Sequence, residues 1–199
     1  MAIAAFVFFL SAAVSADTTC LDPAGRGVDW SNCVILRNQT NADLRQANLT
    51  GADLYEANLT GADLTHATLE GADLAGATLH RADLTLADLF GATLHSADLT
   101  GATLTLANLA GAIMEGADLT GADLTGAFLD GADLTDAILR RADLTGATLT
   151  LANLAGAIME GADLTGADLT GAILDGVPLS GATFPDGRVC AANSIGDCK

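Results

Sequence analysis

Residues 42–61 read ADLRQ ANLTG ADLYE ANLTG: four units of five residues, each with an alanine, an acidic or amide residue, and a leucine in that order. The unit continues without insertion or deletion through residues 182–186, which makes 29 units. Alanine or valine fills the first position of every unit, and leucine fills the third position of 26. A repeat this uniform predicts a scaffold built from stacked copies of one structural element.

The spacing of alanine and leucine indicates extended backbone. Side chains two residues apart point to the same side of a strand, whereas a step of five residues in an α-helix would scatter the leucines around the axis. Because five is odd, the chain must bend once in each unit to keep all leucines on one side. Glycine, which tolerates the positive φ of tight turns, fills 18 of the 28 positions that link successive units. The sequence therefore predicts an all-β coil with four units, or about 20 residues, per circuit.

The pattern A(D/N)Lxx, as in Ala52-Asp53-Leu54, resembles that of the pentapeptide-repeat family. The resemblance covers residues 42–184 and implies a right-handed quadrilateral β-helix, a solenoid with its leucines inside and four outward faces. Twenty-nine units would form about seven coils and, at about 4.8 Å per coil, a rod of about 35 Å.

The N-terminal residues predict export to the periplasm or the extracellular space. Residues 1–16 are almost wholly apolar and end in small residues typical of a cleavage site, so we expect a signal peptide and a mature chain that starts at Asp17. A core strand and a membrane anchor are the alternatives, but the apolar stretch is shorter than the ~20 residues that span a bilayer. The predicted domains are the signal peptide (1–16), an N-terminal cap with an irregular first coil (17–41), the β-helix (42–186) and a C-terminal cap (187–199).

Four cysteines flank the repeats, and an even number in an exported chain favours disulfides. Bridged Cα atoms lie within about 7 Å, far less than the length of the rod, so the cysteines should pair within each end. The predicted bridges are Cys20–Cys33 and Cys190–Cys198. Free buried thiols are the alternative, and the same distance excludes a shared zinc site.

The ends of a β-helix expose strand edges and need a cover. Trp30 and the segment 184–187 lie where such caps belong. Cys33 and Ile35 fit an alanine and a leucine position, but the next matching alanine, Ala42, follows Cys33 by nine residues instead of ten. The first coil is therefore expected to be irregular.

No motif for catalysis is present: the sequence contains no nucleophile elbow, phosphate-binding loop, HExxH motif or paired-cysteine metal motif. His66, His80 and His95 fall at outward or corner positions on different edges. We therefore predict that the protein is not an enzyme and uses no cofactor or metal.

Charge dominates the surface, because the chain has a net charge of −17 and residues 1–16 contribute nothing to it. Every fourth unit falls on the same face, and one face should carry a column of aspartates beside threonines. The column comprises Asp43, Asp63, Asp83, Asp123, Asp143 and Asp163. The simplest interpretation is solubility. The alternative is cation or flat-surface binding through this Asp/Thr ladder, although the ladder does not enclose the six to eight oxygens of a calcium site.

DNA mimicry is a further alternative, because quinolone-resistance proteins of the pentapeptide-repeat family resemble duplex DNA and bind gyrase. Duplex DNA carries about 20 charges over 35 Å, which is close to the net charge of −17. Export argues against a topoisomerase partner, because an exported protein does not meet gyrase.

Apolar residues also occupy outward positions. Ile138 and Ile158 should stack with Pro178 on one face and form a candidate patch for a partner or for self-association. Isolated substitutions without a function are the alternative. The other outward apolar residues are Ile113, Phe128, Ile173, Leu86, Phe90 and Leu106.

Residues 97–131 and 142–176 are identical except that Phe128 in the first copy is Ile173 in the second. The shift between the copies is nine units, which is not a multiple of four, so the duplication moves each face's residues to the neighbouring face. A function that tolerates this permutation is favoured over a shape-specific site. We predict a non-catalytic exported acidic scaffold or protein-interaction rod with an unidentified protein partner, no nucleic-acid ligand, no membrane span, and a monomeric or weakly dimeric state.

Overall fold

In the computed structural model, which describes residues 23–35 and 38–199, the chain winds into a parallel β-helix. The described residues contain no helix, and the pairing between coils consists of single-residue bridges. Bridged residues are twenty positions apart, as in Asp43–Asp63 and Asp63–Asp83, so four units complete one circuit. The predicted all-β class is confirmed. The predicted signal peptide, residues 1–16, lies outside the described residues.

The four faces are numbered here by the central residues of their units. In steps of twenty residues, face 1 runs from Asp43 to Thr183, face 2 from Asn48 to Asp168, face 3 from Asp53 to Ile173, and face 4 from Asn58 to Pro178. Each corner takes the number of the face that precedes it, so corner 1 joins face 1 to face 2.

Backbone hydrogen bonds explain why the unit has five residues. The N–H of Asp83 donates to the coil below at 2.9 Å, and those of Leu84 and Leu86 donate to the coil above at 2.7 and 3.0 Å. The N–H of Ala87 closes the corner by donating to the carbonyl of Leu84 at 3.0 Å. The second corner residue has a positive φ at all 28 linking positions, as the third residue of a type II turn does, which explains the many glycines there.

The core is a column of alanine and leucine side chains inside the coils. From Leu44 to Leu164, the third residue of every unit is at most 1% exposed. Every unit buries apolar surface in this one continuous core, and that burial stabilises the β-helix.

The first coil is one residue short. Its bridges, Asp29–Asn48 and Val34–Asp53, join residues nineteen apart instead of twenty. Trp30, Ile35 and Gln39 lie buried at the positions that leucine takes elsewhere. Because Gln39 pairs with the coil above at the regular spacing, the missing residue falls between Ile35 and Gln39.

The C-terminal segment folds back across the last coil. It forms antiparallel bridges from Ile195 to Pro178 and from Val189 to Thr183, so it covers the ends of faces 4 and 1. The predicted Cys190–Cys198 disulfide is present, with Cα atoms 4.7 Å apart. The predicted Cys20–Cys33 bridge involves Cys20, which is outside the described residues, and it stays a prediction.

Faces 2 and 3 end differently at the C-terminal end of the rod. Leu169 and Leu174 are only partly buried, and their N–H groups make no backbone hydrogen bond to any described residue. The tail therefore covers half of the terminal edge and leaves the other half open.

Candidate functional site

The predicted aspartate column is formed on face 1. Its bridges run without interruption from Asp43 through Thr103 to Asp163, so each central residue lies directly above the one twenty positions earlier. All six candidate aspartates lie in this column. They are Asp43, Asp63, Asp83, Asp123, Asp143 and Asp163.

Each of these carboxylates has a structural role. The N–H of the first corner residue has no backbone acceptor, and Oδ1 of the central Asp or Asn accepts it from two residues away, as between Thr145 and Asp143 at 2.9 Å. The uncharged Asn48 and Asn108 accept the same bond from Thr50 and Ala110, both at 3.2 Å. This side-chain turn explains why the central position favours Asp and Asn.

Threonine hydroxyls are tied into the same turns. The hydroxyls of Thr65 and Thr165 donate to Oδ1 of Asp63 and Asp163 at 2.7 and 2.5 Å. The hydroxyl of Thr105 donates to Oδ2 of Asp123, one coil above, at 3.1 Å. In these pairs the hydroxyls and carboxylates of the predicted Asp/Thr ladder are partners of one another rather than two independent sets of ligands.

Arg45 neutralises the N-terminal end of the column. Its guanidinium donates to both carboxylate oxygens of Asp43 at 2.7 and 2.6 Å, and its Nε lies 3.6 Å from Asp63. The hydrogen bond from Arg45 lowers the pKa of Asp43 to about 2. Farther along, hydrogen bonds from Thr165 hold the pKa of Asp163 below its ordinary value. Asp43 and Asp163, at the two ends of the column, are therefore ionised at neutral pH.

Ile138 and Ile158 are bridged neighbours on face 4, as predicted, and both are half-buried. The carbonyl of Pro178 accepts the N–H of Met159 at 3.1 Å, which continues the stack. Larger apolar exposure occurs at Leu151, a residue that the repeat pattern did not predict as prominent and whose exposed fraction is 71%. Its position among the linking residues, where glycine predominates, was the available signal.

The three histidines lie on three different corners. The ring of His80 is 2.7 Å from the hydroxyl of Thr100, and that of His95 is 3.7 Å from the carboxylate of Glu115, while His66 is on corner 1. The part of the chain that the structure describes contains no group of three His, Cys, Asp or Glu residues able to hold a metal ion. Nor does it contain a helix long and apolar enough to cross a bilayer.

Comparison with known proteins finds similar sequences and structures. A family model described as Pentapeptide repeats matches eight copies between residues 40 and 184. No curated protein matches the chain. HetL, a pentapeptide repeat protein involved in heterocyst differentiation regulation in the cyanobacterium Nostoc sp. strain PCC 7120, is 35% identical, with 82% of this chain and 90% of HetL covered and a TM-score of 0.40.

Two further solved structures are similar. The alr5209 protein, a pentapeptide repeat protein from Nostoc PCC 7120, is 39% identical over 43% of this chain and 68% of its own, with a TM-score of 0.39. QnrB1, a plasmid-mediated fluoroquinolone resistance protein, is 21% identical over 78% of this chain and 77% of its own, with a TM-score of 0.46.

Proposed function

Because this chain belongs to the pentapeptide-repeat family, whose members form right-handed β-helices, we propose that it is an exported, non-catalytic acidic rod that binds a protein partner. In this proposal the rod has about seven regular coils, and it acts as a monomer or weak dimer. The covered half of its C-terminal edge supports the monomeric state, because the tail occupies positions where another strand would pair.

The choice of aspartate over asparagine carries the proposal. Both residues accept the hydrogen bond that the corner requires, yet aspartate fills 13 of the 29 central positions and asparagine only four. The corner hydrogen bond therefore needs the side-chain oxygen but not the charge. We attribute the excess charge to two functions of the surface: it keeps the protein soluble, and it attracts a positively charged partner.

Export has two supports of different kinds. Residues 1–16 have the composition of a signal peptide, and the mature chain would start at Asp17. The Cys190–Cys198 disulfide is of the kind that persists in an oxidising compartment. Mass spectrometry of the protein recovered from the periplasm or medium should give a chain that begins at Asp17. Recovery from the cytosol with residues 1–16 attached would contradict export.

A variant with reduced charge tests the acidic rod. Replacing all six aspartates of the column by asparagine keeps the oxygens that accept the corner hydrogen bonds and removes six charges. The variant should fold as the native protein does. The native rod should capture a basic partner protein from an envelope extract, and the variant should fail to capture that partner. An unchanged set of captured proteins would contradict a role for this charge.

Cation or flat-surface binding remains the alternative function. In Asp83, Asp143 and Asp163 the Oδ2 atom accepts no hydrogen bond from any described residue, so these carboxylates keep an oxygen for a cation or a flat surface. A specific calcium site would raise the melting temperature as calcium accumulates, whereas the acidic-rod proposal expects no saturating rise. DNA mimicry toward a topoisomerase is the third candidate, and it requires a cytosolic pool of the protein, which the export experiment measures.

A further inference from the structure

Three corner positions carry a leucine where the backbone favours glycine. Leu86, Leu106 and Leu151 have φ values of 58°, 57° and 60°. Leucine pays a steric cost in this left-handed region that glycine avoids. Burial offsets only part of that cost, since Leu86 and Leu106 are 45% and 46% exposed and Leu151 is 71% exposed. Glycine would meet the needs of the fold at these corners without the strain.

Two of these leucines join two phenylalanines on one side of the rod. Leu86 and Leu106 lie on corner 1 in successive coils, Phe90 lies on corner 2 in the coil of Leu86, and Phe128 is the central residue of face 2. All four are between 45% and 51% exposed. The Cδ2 atom of Leu106 reaches over Gly126, 2.8 Å from the point where a Cβ would lie, which places it beside the segment that leads to Phe128. We call these four residues the face 2 patch.

Carboxylates surround the face 2 patch. Asp88 lies between Leu86 and Phe90, and its Oδ1 accepts hydrogen bonds from the amide of Asn108 at 2.8 Å and the N–H of Phe90 at 3.2 Å. Its Oδ2 accepts none from any described residue. Glu70 and Asp130 lie on corner 2, one coil below and two coils above Phe90.

The arginines of the middle coils lie on the other side of the rod from the patch, whereas His66 lies on corner 1, one coil below Leu86. Between residues 46 and 187 the sequence has three arginines, Arg81, Arg140 and Arg141, and all three lie on corner 4, diagonally opposite corner 2. Face 2 and its two corners contain no arginine between residues 46 and 187. The four apolar residues of the patch thus flank the carboxylate of Asp88, Glu70 and Asp130 lie at its edge, and face 2 itself carries no arginine or lysine.

We infer that the face 2 patch is the docking surface for a cationic amphipathic segment of a partner protein, whose apolar side chains contact the leucines and phenylalanines while its lysines or arginines approach Asp88, Glu70 and Asp130. Charge complementarity favours this occupant over a second copy of the chain, because two rods with a net charge of −17 repel each other. The inference rests on the proposed function and adds the position and chemistry of the contact.

The duplication supplies an internal control. Leu151 and Ile173 are the counterparts of Leu106 and Phe128, and Cδ2 of Leu151 reaches over Gly171 at the same 2.8 Å. However, the counterparts of Leu86 and Phe90 are Gly131 and Thr135. Face 3 therefore repeats the strained leucine without the surrounding patch.

The test compares two probes: a synthetic amphipathic peptide of lysine and leucine, and an oligolysine of equal length. The native rod should bind the lysine–leucine peptide more tightly. The Leu86→Gly/Leu106→Gly variant should lose about tenfold in affinity for that peptide while its oligolysine affinity stays unchanged. Its melting temperature should equal or exceed that of the native protein, because glycine relieves the corner strain. Leu151→Gly should show the same stability effect with less than about a twofold change in binding.

Other outcomes would overturn the inference. If the native rod bound both peptides equally, or if the double variant bound the lysine–leucine peptide as the native rod does, charge alone would govern binding and only the proposed acidic rod would survive. If neither peptide bound, both proposals would fall. If sedimentation showed a native dimer that the double variant abolishes, the occupant would be a second copy of the chain.

Discussion

Asp83 and Thr85 hold a corner of the rod together through one oxygen atom. Both the N–H of Thr85, at 3.0 Å, and its hydroxyl, at 2.6 Å, donate to Oδ1 of Asp83. The backbone itself offers this N–H no acceptor. Asp83, which the sequence places on the charged surface, is thus also part of the hydrogen bonding that holds the corner.

This geometry separates the charge of Asp83 from its structural role. Asp83→Asn keeps the accepting oxygen and should leave the free energy of unfolding nearly unchanged, whereas Asp83→Ala removes both hydrogen bonds and should cost about 1 kcal/mol. Urea unfolding of the two variants measures the difference. Thr103→Ala is the control, because no such bond forms at that central position. Equal losses from the Asn and Ala variants would show that the charge matters and the turn bond does not.

The loss in the free energy of unfolding caused by a core cavity should depend on its position along the rod. Leu104 is fully buried between coils, and Leu104→Ala should cost about 2–5 kcal/mol, as buried leucines do. Leu174 is only partly buried at the open edge, so Leu174→Ala should cost less than half as much. The same urea experiment compares them. If the two losses were equal, face 3 would be covered at its end in solution.

The Asp43–Arg45 pair predicts a pH dependence at the N-terminal end. The folded pKa of Asp43, about 2, lies below the ordinary value of 3.8, so the pair stabilises the folded state above about pH 4. That contribution is lost as the pH falls toward 2. An NMR titration should show Arg45→Gln raising the pKa of Asp43 toward 3.8, while Arg140→Gln, which removes the pair with Glu160, should leave it unchanged. A pKa near 3.8 in the native protein would contradict the bidentate contact.

The C-terminal tail should open when its disulfide is removed. The N–H groups of Leu179 and Gly181 donate to the carbonyls of Ser194 and Cys190 at 2.9 and 3.0 Å. A double Cys190→Ser/Cys198→Ser variant should exchange these two amide hydrogens faster, while the amide of Leu104 in the middle of the rod stays protected. Uniformly faster exchange would mean that the tail stabilises the whole helix and not its last coil alone.

Deletion of residues 97–141 should leave a shorter folded rod. Residues 142–176 differ from 97–131 at one position only, so they can take the same places on the coil below. Small-angle scattering should show a particle about 11 Å shorter, since nine units occupy two and a quarter coils. Failure to obtain soluble protein would contradict the view that faces can be permuted without loss of the fold.

Much of the candidate site followed from the repeat once four units were assigned to a circuit. The column from Asp43 to Asp163 and the Ile138–Ile158 pair are simply residues twenty apart. What the pattern did not predict is the bonding between Thr165 and Asp163, because the direction of a hydroxyl depends on the corner's backbone. Nor did it predict the prominence of Leu151, because exposure depends on what lies in the adjacent coil.

The repeat by itself determined the coil, the inward leucines and the corner at every fifth residue, because alternation along extended backbone and the positive φ of the linking position are local properties of the chain. Only the tertiary structure decided where the first coil loses a residue, between Ile35 and Gln39, and that the tail returns antiparallel over faces 4 and 1 alone. Both features arise where the periodic pattern stops, and there the path of the chain depends on which edge groups of a distant coil remain available for hydrogen bonding.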